Sequence, residues 1–385
     1  MPVIYPYIQY SGTWNLTSQG KAQAAGTWPV APLSKYLYSW GRNNYGALGI
    51  NNTTNYSSPK QVGSEATWAS ASSVAALHNA AIKTDGTLWT WGKNEFGQLG
   101  QDNTTYLSSP VQVGALTTWS KVSTGYYSTY VIKTDGTLWA WGRNTNGQLG
   151  LGNTTNYSSP KQVGLLNTWS KISAGNNFAL AIKTDGTLWS WGNNSLGQLG
   201  LGNTTYYSSP KQVGALTNWA NIYGGSAFCL SIKTDGTLWA WGENSSGQLG
   251  FGNTTYYSSP KQVGALTTWS SAAGAAFHSL AIKTDGTLWS FGLNNFGQLG
   301  LGNTTNYSSP KQVGALTTWS SVLGGNYSAY ALKTDKTAWS WGRNQYGQLG
   351  QGDTNNLSSP VQIGNLSGWL AVANGYNSVL GISTN

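Results

Sequence analysis

The sequence predicts an all-β fold: a seven-bladed β-propeller of four-stranded antiparallel blades, closed by pairing of the N- and C-terminal strands. Three observations predict it. A phrase such as "AIKTDGTLWSWG" (181–192) recurs at a 50-residue interval, turn dipeptides separate short apolar runs inside each unit, and one copy is divided between the chain ends. Composition agrees with strands and turns. The 385 residues include 51 Gly, 21 Trp and 22 Tyr but only 8% charged residues, a balance unlike a disordered chain or a helical bundle.

The period sets the number of blades. Trp-Gly pairs begin at Trp40, Trp91, Trp141, Trp191, Trp241 and Trp341, with Phe291 replacing Trp once, and "GQLG" or "GALG" and "SSP" each occur seven times. Within one unit, "WSKISAGNN", "FALAIKT", "TLWSWG" and "SSPKQVG" read as four strands. Asp185-Gly186 separates the second from the third, and this dipeptide suits the positive φ angles of a two-residue hairpin turn. A lone sheet would leave its Trp and Leu side chains in water, so each unit needs a neighbour on both sides.

The divided copy closes the ring. "VLGISTN" (379–385) matches the first half of the phrase and "KYLYSWG" (35–41) the second. Their pairing would leave no radial edge strand unpaired. The stretch "LWSWGNNSLGQLGLGN" resembles the repeat of the regulator-of-chromosome-condensation family, and the likeness extends from Ser34 to Asn385. The resemblance implies a seven-bladed propeller over residues 34–385; residues 1–33 fall outside the repeat and are expected to form a separate attachment or assembly segment. It also implies a range of functions: nucleotide exchange with chromatin binding, ultraviolet sensing, or inhibition of an enzyme. The Gly-Trp-Arg-His-Thr signature of the photoreceptor is absent here, as is a long blade insertion of the kind the exchange factor uses.

Alternating strand direction places the turn before "FALAIKT" and the loop after "LWSWG" on one face, and the Asp-Gly turn and the "ALTTW" linker on the other. The Asp-Gly side is nearly invariant, with Lys336 the main exception to its glycine. The other side varies. Its loop begins Arg42, Lys93, Arg143, Asn193, Glu243, Leu293 and Arg343, and its fourth residue runs Tyr45, Phe96, Asn146, Leu196, Ser246, Phe296 and Tyr346. The preceding turn carries His78, Tyr126, Tyr127, Asn176, Asn177, Tyr327 and Tyr376. Scaffold positions repeat because each blade poses the same packing problem, whereas a partner need not be sevenfold symmetric, so Arg42, Tyr45, His78, Lys93, Phe96, Tyr126, Tyr127, Arg143, Asn176, Asn177, Phe296, Tyr327, Arg343, Tyr346 and Tyr376 are the candidate contact residues. Drift of exposed loops is the alternative reading.

Other chemistry is weakly marked. The formal charge of +9 is carried mostly by Lys of "IKTDG" and of "SSPKQVG", which distributes it around rings rather than along a groove, so specific nucleic-acid recognition is not expected. Turn-forming Asp residues, the single Cys229 in an apolar strand, and His78 and His278 form no catalytic or metal-binding set, and no enzyme activity, metal or cofactor is expected. No apolar run reaches the ~20 residues of a membrane helix, and no secretory signal is visible. Tyr206-Tyr207 and Tyr256-Tyr257 suit either sugar stacking or interblade packing. The N-terminal "SGTWNLTSQGKAQAAGTWP" resembles a segment of structural proteins of marine tailed phages. That resemblance implies a virion protein, a tail-fibre or decoration module joined to other virion proteins through residues 1–33 and contacting a host-surface glycan or protein. A soluble protein-binding inhibitor or scaffold, or a lectin-like propeller, is the alternative.

Overall fold

The computed structural model describes residues 33–72 and 77–384, so the attachment segment expected over residues 1–33 lies outside the described residues up to residue 32. Lys35–Asn385 forms one compact unit. It contains seven four-stranded antiparallel sheets. Blade 3 is representative, with strands Trp169–Ala174, Phe178–Lys183, Leu188–Gly192 and Tyr207–Gln212 paired in chain order. Blades 1, 2, 4, 5 and 6 repeat this plan over residues 68–112, 119–162, 219–262, 269–312 and 319–362. First strands of successive blades approach one another and form the inner ring. The fourth strand is the outer edge, which is where Pro210 is tolerated, because a proline cannot donate to a ladder.

Blade 7 is assembled from both chain ends. Trp369–Asn374 and Ser378–Ser383 join Tyr36–Gly41 and Tyr56–Gln61 in one sheet. Tyr36 lies opposite Ser383 and Gly41 opposite Ser378, so the closing ladder runs the whole length of both strands.

The Asp-Gly turn differs from expectation. Lys183 N–H donates to the Thr187 carbonyl at 3.1 Å and Gly186 N–H to the Lys183 carbonyl at 3.0 Å, which makes a three-residue loop with a positive φ (78°) at Gly186 alone. Asp185 serves by its side chain instead: Oδ1 accepts from the Thr187 N–H and hydroxyl at 2.9 and 2.7 Å. These bonds, from the Thr187 hydroxyl first, hold the Asp185 carboxyl below the usual range.

The core lies between blades. One cluster joins Tyr130, Ile132, Leu138 and Leu149 of blade 2 to Trp169, Ala179, Ala181 and Trp191 of blade 3, and each other cluster likewise spans two consecutive blades. The repeated motifs meet there. Trp191 Nε1 donates to the carbonyl of Gln148 in the preceding blade's "GQLG" at 2.8 Å, and Trp40 makes the same bond to Gln348 across the chain ends at 2.8 Å. A Cβ on Gly150 would stand 2.7 Å from that indole nitrogen, so this position requires glycine. Phe291 lacks the donor, and the Ser279 hydroxyl bonds to Gln248 O instead at 2.7 Å.

Candidate partner-binding face

The backbone joins the two variable segments. In every blade the first residue after Trp-Gly donates its N–H to the turn before the second strand, as in Arg42 to Asn377 O (2.9 Å), Arg143 to Tyr127 O (2.9 Å) and Glu243 to Ala227 O (3.0 Å). On the other side, Thr184 N–H donates to Thr168 O at 2.8 Å and Trp219 N–H to Gly186 O at 3.2 Å, so the hairpin turn and the linker share the constant face. Each variable loop has a fixed frame. Asn194 Oδ1 accepts from Leu199 N–H at 2.9 Å while its Nδ2 donates to the Asn203 carbonyl, and Asn203 Oδ1 accepts from Thr205 N–H at 3.0 Å in an Asx turn. Variation is therefore confined to side chains carried on a common backbone.

Those side chains interact from blade to blade. The Arg42 guanidinium lies 5.0 Å from the ring centre of Tyr346 in blade 6, and Arg143 5.3 Å from that of Phe96 in blade 1. Arg343 lies 5.1 Å from Phe296 and Lys93 Nζ 4.9 Å from Tyr45, again across a junction. Tyr127 packs against Phe96 at 5.0 Å and Tyr126 at 4.4 Å, and Tyr126 reaches Tyr376 at 5.8 Å. Tyr327 packs on Phe296 and Phe277 at 5.4 and 5.8 Å. Burial, with Tyr127 alongside, raises the Tyr126 phenol above its ordinary range and keeps it protonated. Asn176 is half-buried and bonds through its backbone, its N–H donating to Ser226 O and its carbonyl accepting from Tyr126 N–H, both at 3.3 Å; Asn177, also half-buried, accepts from Asn193 N–H at 2.9 Å.

Two of the candidate contact residues need correction. His78 is 0% exposed, so it cannot touch a partner. The Thr129 hydroxyl donates to Gln98 O, and therefore accepts from His78 Nε2–H at 2.8 Å, which fixes the tautomer. Burial brings the His78 pKa down to about 3. The signal lay in the repeat itself, where Phe178 and Phe228 occupy the matching strand-opening position. Lys93 is also buried and bonds Glu95 at 3.0 Å, so its charge is answered within its own loop. Burial alone would lower the Lys93 pKa, but hydrogen bonds to Glu95 and Tyr127 outweigh it and the pKa is raised.

The constant face uses cations differently. Lys183 Nζ sits 3.6 Å from the Trp189 ring centre and 5.2 Å from Trp169 in its own blade, a stack repeated from Lys83 to Lys333. Tyr207 and Tyr257 are half-buried, with Lys211 and Lys261 over their rings at 5.4 and 4.3 Å, whereas Tyr206 and Tyr256 are exposed. Recesses recur between blades near the rim. One of about 490 Å³ is bounded by Ile50, Gln61, Glu65, Trp68 and Trp89. Cys229 is buried in the blade 3–4 core. Among the described residues no group of three His, Cys, Asp or Glu is placed to hold a metal, and no helix is long and apolar enough to cross a membrane.

Comparison with known proteins assigns the architecture. Residues 15–276 match the RCC1-like domain, and residues 285–332 and 335–382 match the regulator of chromosome condensation (RCC1) repeat. The chain belongs to the RCC1-like family. The RCC1-like fold is shared with human WBSCR16 (TM-score 0.80, 21% identity, 91% of this chain and 99% of that one). It is shared also with Prp20p of Saccharomyces cerevisiae (TM-score 0.83, 21% identity, 92% of each chain), whose structure was described with its binding to Gsp1p and histones. In sequence, the Danio rerio Protein RCC2 homolog is 42% identical over 72 residues, or 18% of this chain and 14% of that protein. Arabidopsis thaliana Ultraviolet-B receptor UVR8 is 36% identical over 78 residues, or 20% of this chain and 18% of that protein. The matched segments thus span less than a fifth of these two relatives' lengths.

Proposed function

We propose that this RCC1-like chain is a protein-binding propeller, an inhibitor or scaffold that meets its partner through the variable face. The observation that carries this reading is the concentration of aromatic and charged side-chain variation on one face, on loops whose backbone frame repeats from blade to blade. Half-buried aromatic and Arg side chains on a rigid frame supply contact area at low entropic cost. The binding of Gsp1p and histones described for Prp20p supports protein recognition as the task of this fold. The virion role rests on a resemblance within residues 1–33, almost all of it outside the described residues, and protein binding has the broader support.

A photo-crosslinking amino acid placed at Glu95 or Thr145, both exposed on the variable face, tests the reading against Thr217 and Thr267 on the constant face. In an extract of the source cells, positions 95 and 145 are expected to give one shared protein adduct that positions 217 and 267 do not. Adducts confined to the constant face, or equal from both, overturn the proposal.

A further inference from the structure

We infer that the variable face recognises a carboxylate-rich segment of a partner protein, through an arc formed by blades 6, 7, 1 and 2. This inference rests on the protein-binding reading and names the chemistry of the partner.

The arc emerges when the two variable positions are compared one blade out of step. Wherever the fourth loop residue of a blade is aromatic, the next blade begins its loop with a cation: Phe296 with Arg343, Tyr346 with Arg42, Tyr45 with Lys93, and Phe96 with Arg143. Wherever it is not aromatic, the next blade has no cation: Asn146 with Asn193, Leu196 with Glu243, and Ser246 with Leu293. All seven junctions obey the rule, and the four cationic ones are contiguous. Independent drift at the two positions would not keep them matched, so the pairs are units. They divide the face into a cationic–aromatic arc and an uncharged or acidic one that holds Glu243.

Stacking prepares the arginines for carboxylates. A guanidinium laid against a ring at 5.0–5.3 Å has lost much of its rotamer freedom already, while the N–H groups it does not spend inside the protein are left for a carboxylate. Lys93 is answered by Glu95, but among the described residues no carboxylate pairs with Arg42, Arg143 or Arg343. Their neighbours inside the protein are neutral. Arg143 Nε donates to Thr145 Oγ1 at 3.0 Å and Arg343 bonds Gln345. Three stacked arginines with no carboxylate partner thus line the arc on blades 6, 7 and 2, and Arg143 also lies 5.8 Å from the ring centre of Tyr127. An acidic segment is the partner chemistry that complements this surface.

Binding of fluorescein-labelled poly-L-glutamate to the full chain, followed by fluorescence anisotropy, is the test. Affinity is expected to fall with added salt, and to weaken about tenfold or more when Arg42→Gln, Arg143→Gln and Arg343→Gln are combined. Removing equal charge elsewhere, with Lys161→Gln, Lys211→Gln and Lys311→Gln, is expected to change it less than about twofold. Each arginine changed singly gives a smaller loss in the same direction, which serves if the triple variant folds poorly. Equal loss from the two triples, or no binding at low salt, overturns the acidic-partner inference. If that happens while positions 95 and 145 still give their shared adduct, the face stands and only its chemistry is wrong; adducts from the constant face alone defeat the functional reading itself.

Discussion

Both faces of this propeller place cations on aromatic rings, yet they do so in different ways. On the constant face each stack is internal to a blade, with Lys183 over Trp189 and Trp169 and the same arrangement at the equivalent positions. On the variable face the shortest stacks run between blades and occur at four junctions out of seven. The internal stack answers a local need: the lysine stem covers an indole that would otherwise face water, so every blade that keeps the Trp pair keeps the lysine. The interblade stack answers no need common to all junctions, because three dispense with it. One interaction therefore serves as scaffold on one side and as surface on the other, and repetition within the chain distinguishes the two.

The largest effect should come from damage to the framework both faces share. Trp191→Ala removes a fully buried indole and its bond to Gln148, and is expected to cost about 3–5 kcal/mol in urea unfolding. A variant as stable as the parent would mean that the junctions are not what holds the ring. Acid comes next. His78 and His278 are both buried and their pKa values are lowered to about 3, against 6.5 unfolded. Below pH 6.5 the unfolded chain therefore binds protons that the folded chain refuses, and stability falls steadily until the pH nears 3. Between pH 7 and pH 4.5 each imidazole should remove roughly 2–3 kcal/mol, and urea midpoints for His78→Gln and His278→Gln should fall less steeply over that window.

Smaller effects probe the comparison itself. Lys183→Met should destabilise by about 0.5–1 kcal/mol through loss of its stack and leave poly-L-glutamate binding unchanged. Arg343→Gln should do the reverse, with stability within about 0.5 kcal/mol of the parent and weaker binding. If both variants lose stability alike, the distinction between the faces fails. The smallest change expected is a gain. Lys336 holds φ at +63° in the hairpin turn where the corresponding residue of blades 1 to 5 is glycine, so Lys336→Gly should raise the thermal midpoint modestly, equivalent to about 0.5–1 kcal/mol.

Much of the architecture was legible because the chain states its packing problem repeatedly. The split phrase at residues 35–41 and 379–385 gave the closing blade, and strand alternation gave the two faces. The hairpin departs from the two-residue turn because Asp-Gly is compatible with more than one turn: here Asp185 acts through its carboxylate and only Gly186 takes a positive φ. His78 follows the variable turn directly in sequence but opens a buried strand, as the phenylalanines in the same register of blades 3 and 4 mark. The pairing of Arg42 with Tyr346, or Arg143 with Phe96, was written in the sequence as well. It is invisible when each series is read down a single position, because the partners belong to successive blades and meet only after the ring forms.

The closing ladder also bears on how the chain is made. Tyr36–Gly41 leaves the ribosome before its partner Ser378–Ser383, with hundreds of residues between them. Until then the nascent half-sheet has an unpaired flank, and every blade between the two strands must be translated before the torus can lock. Termination before Ser383 would therefore yield aggregation-prone arcs rather than small intact discs.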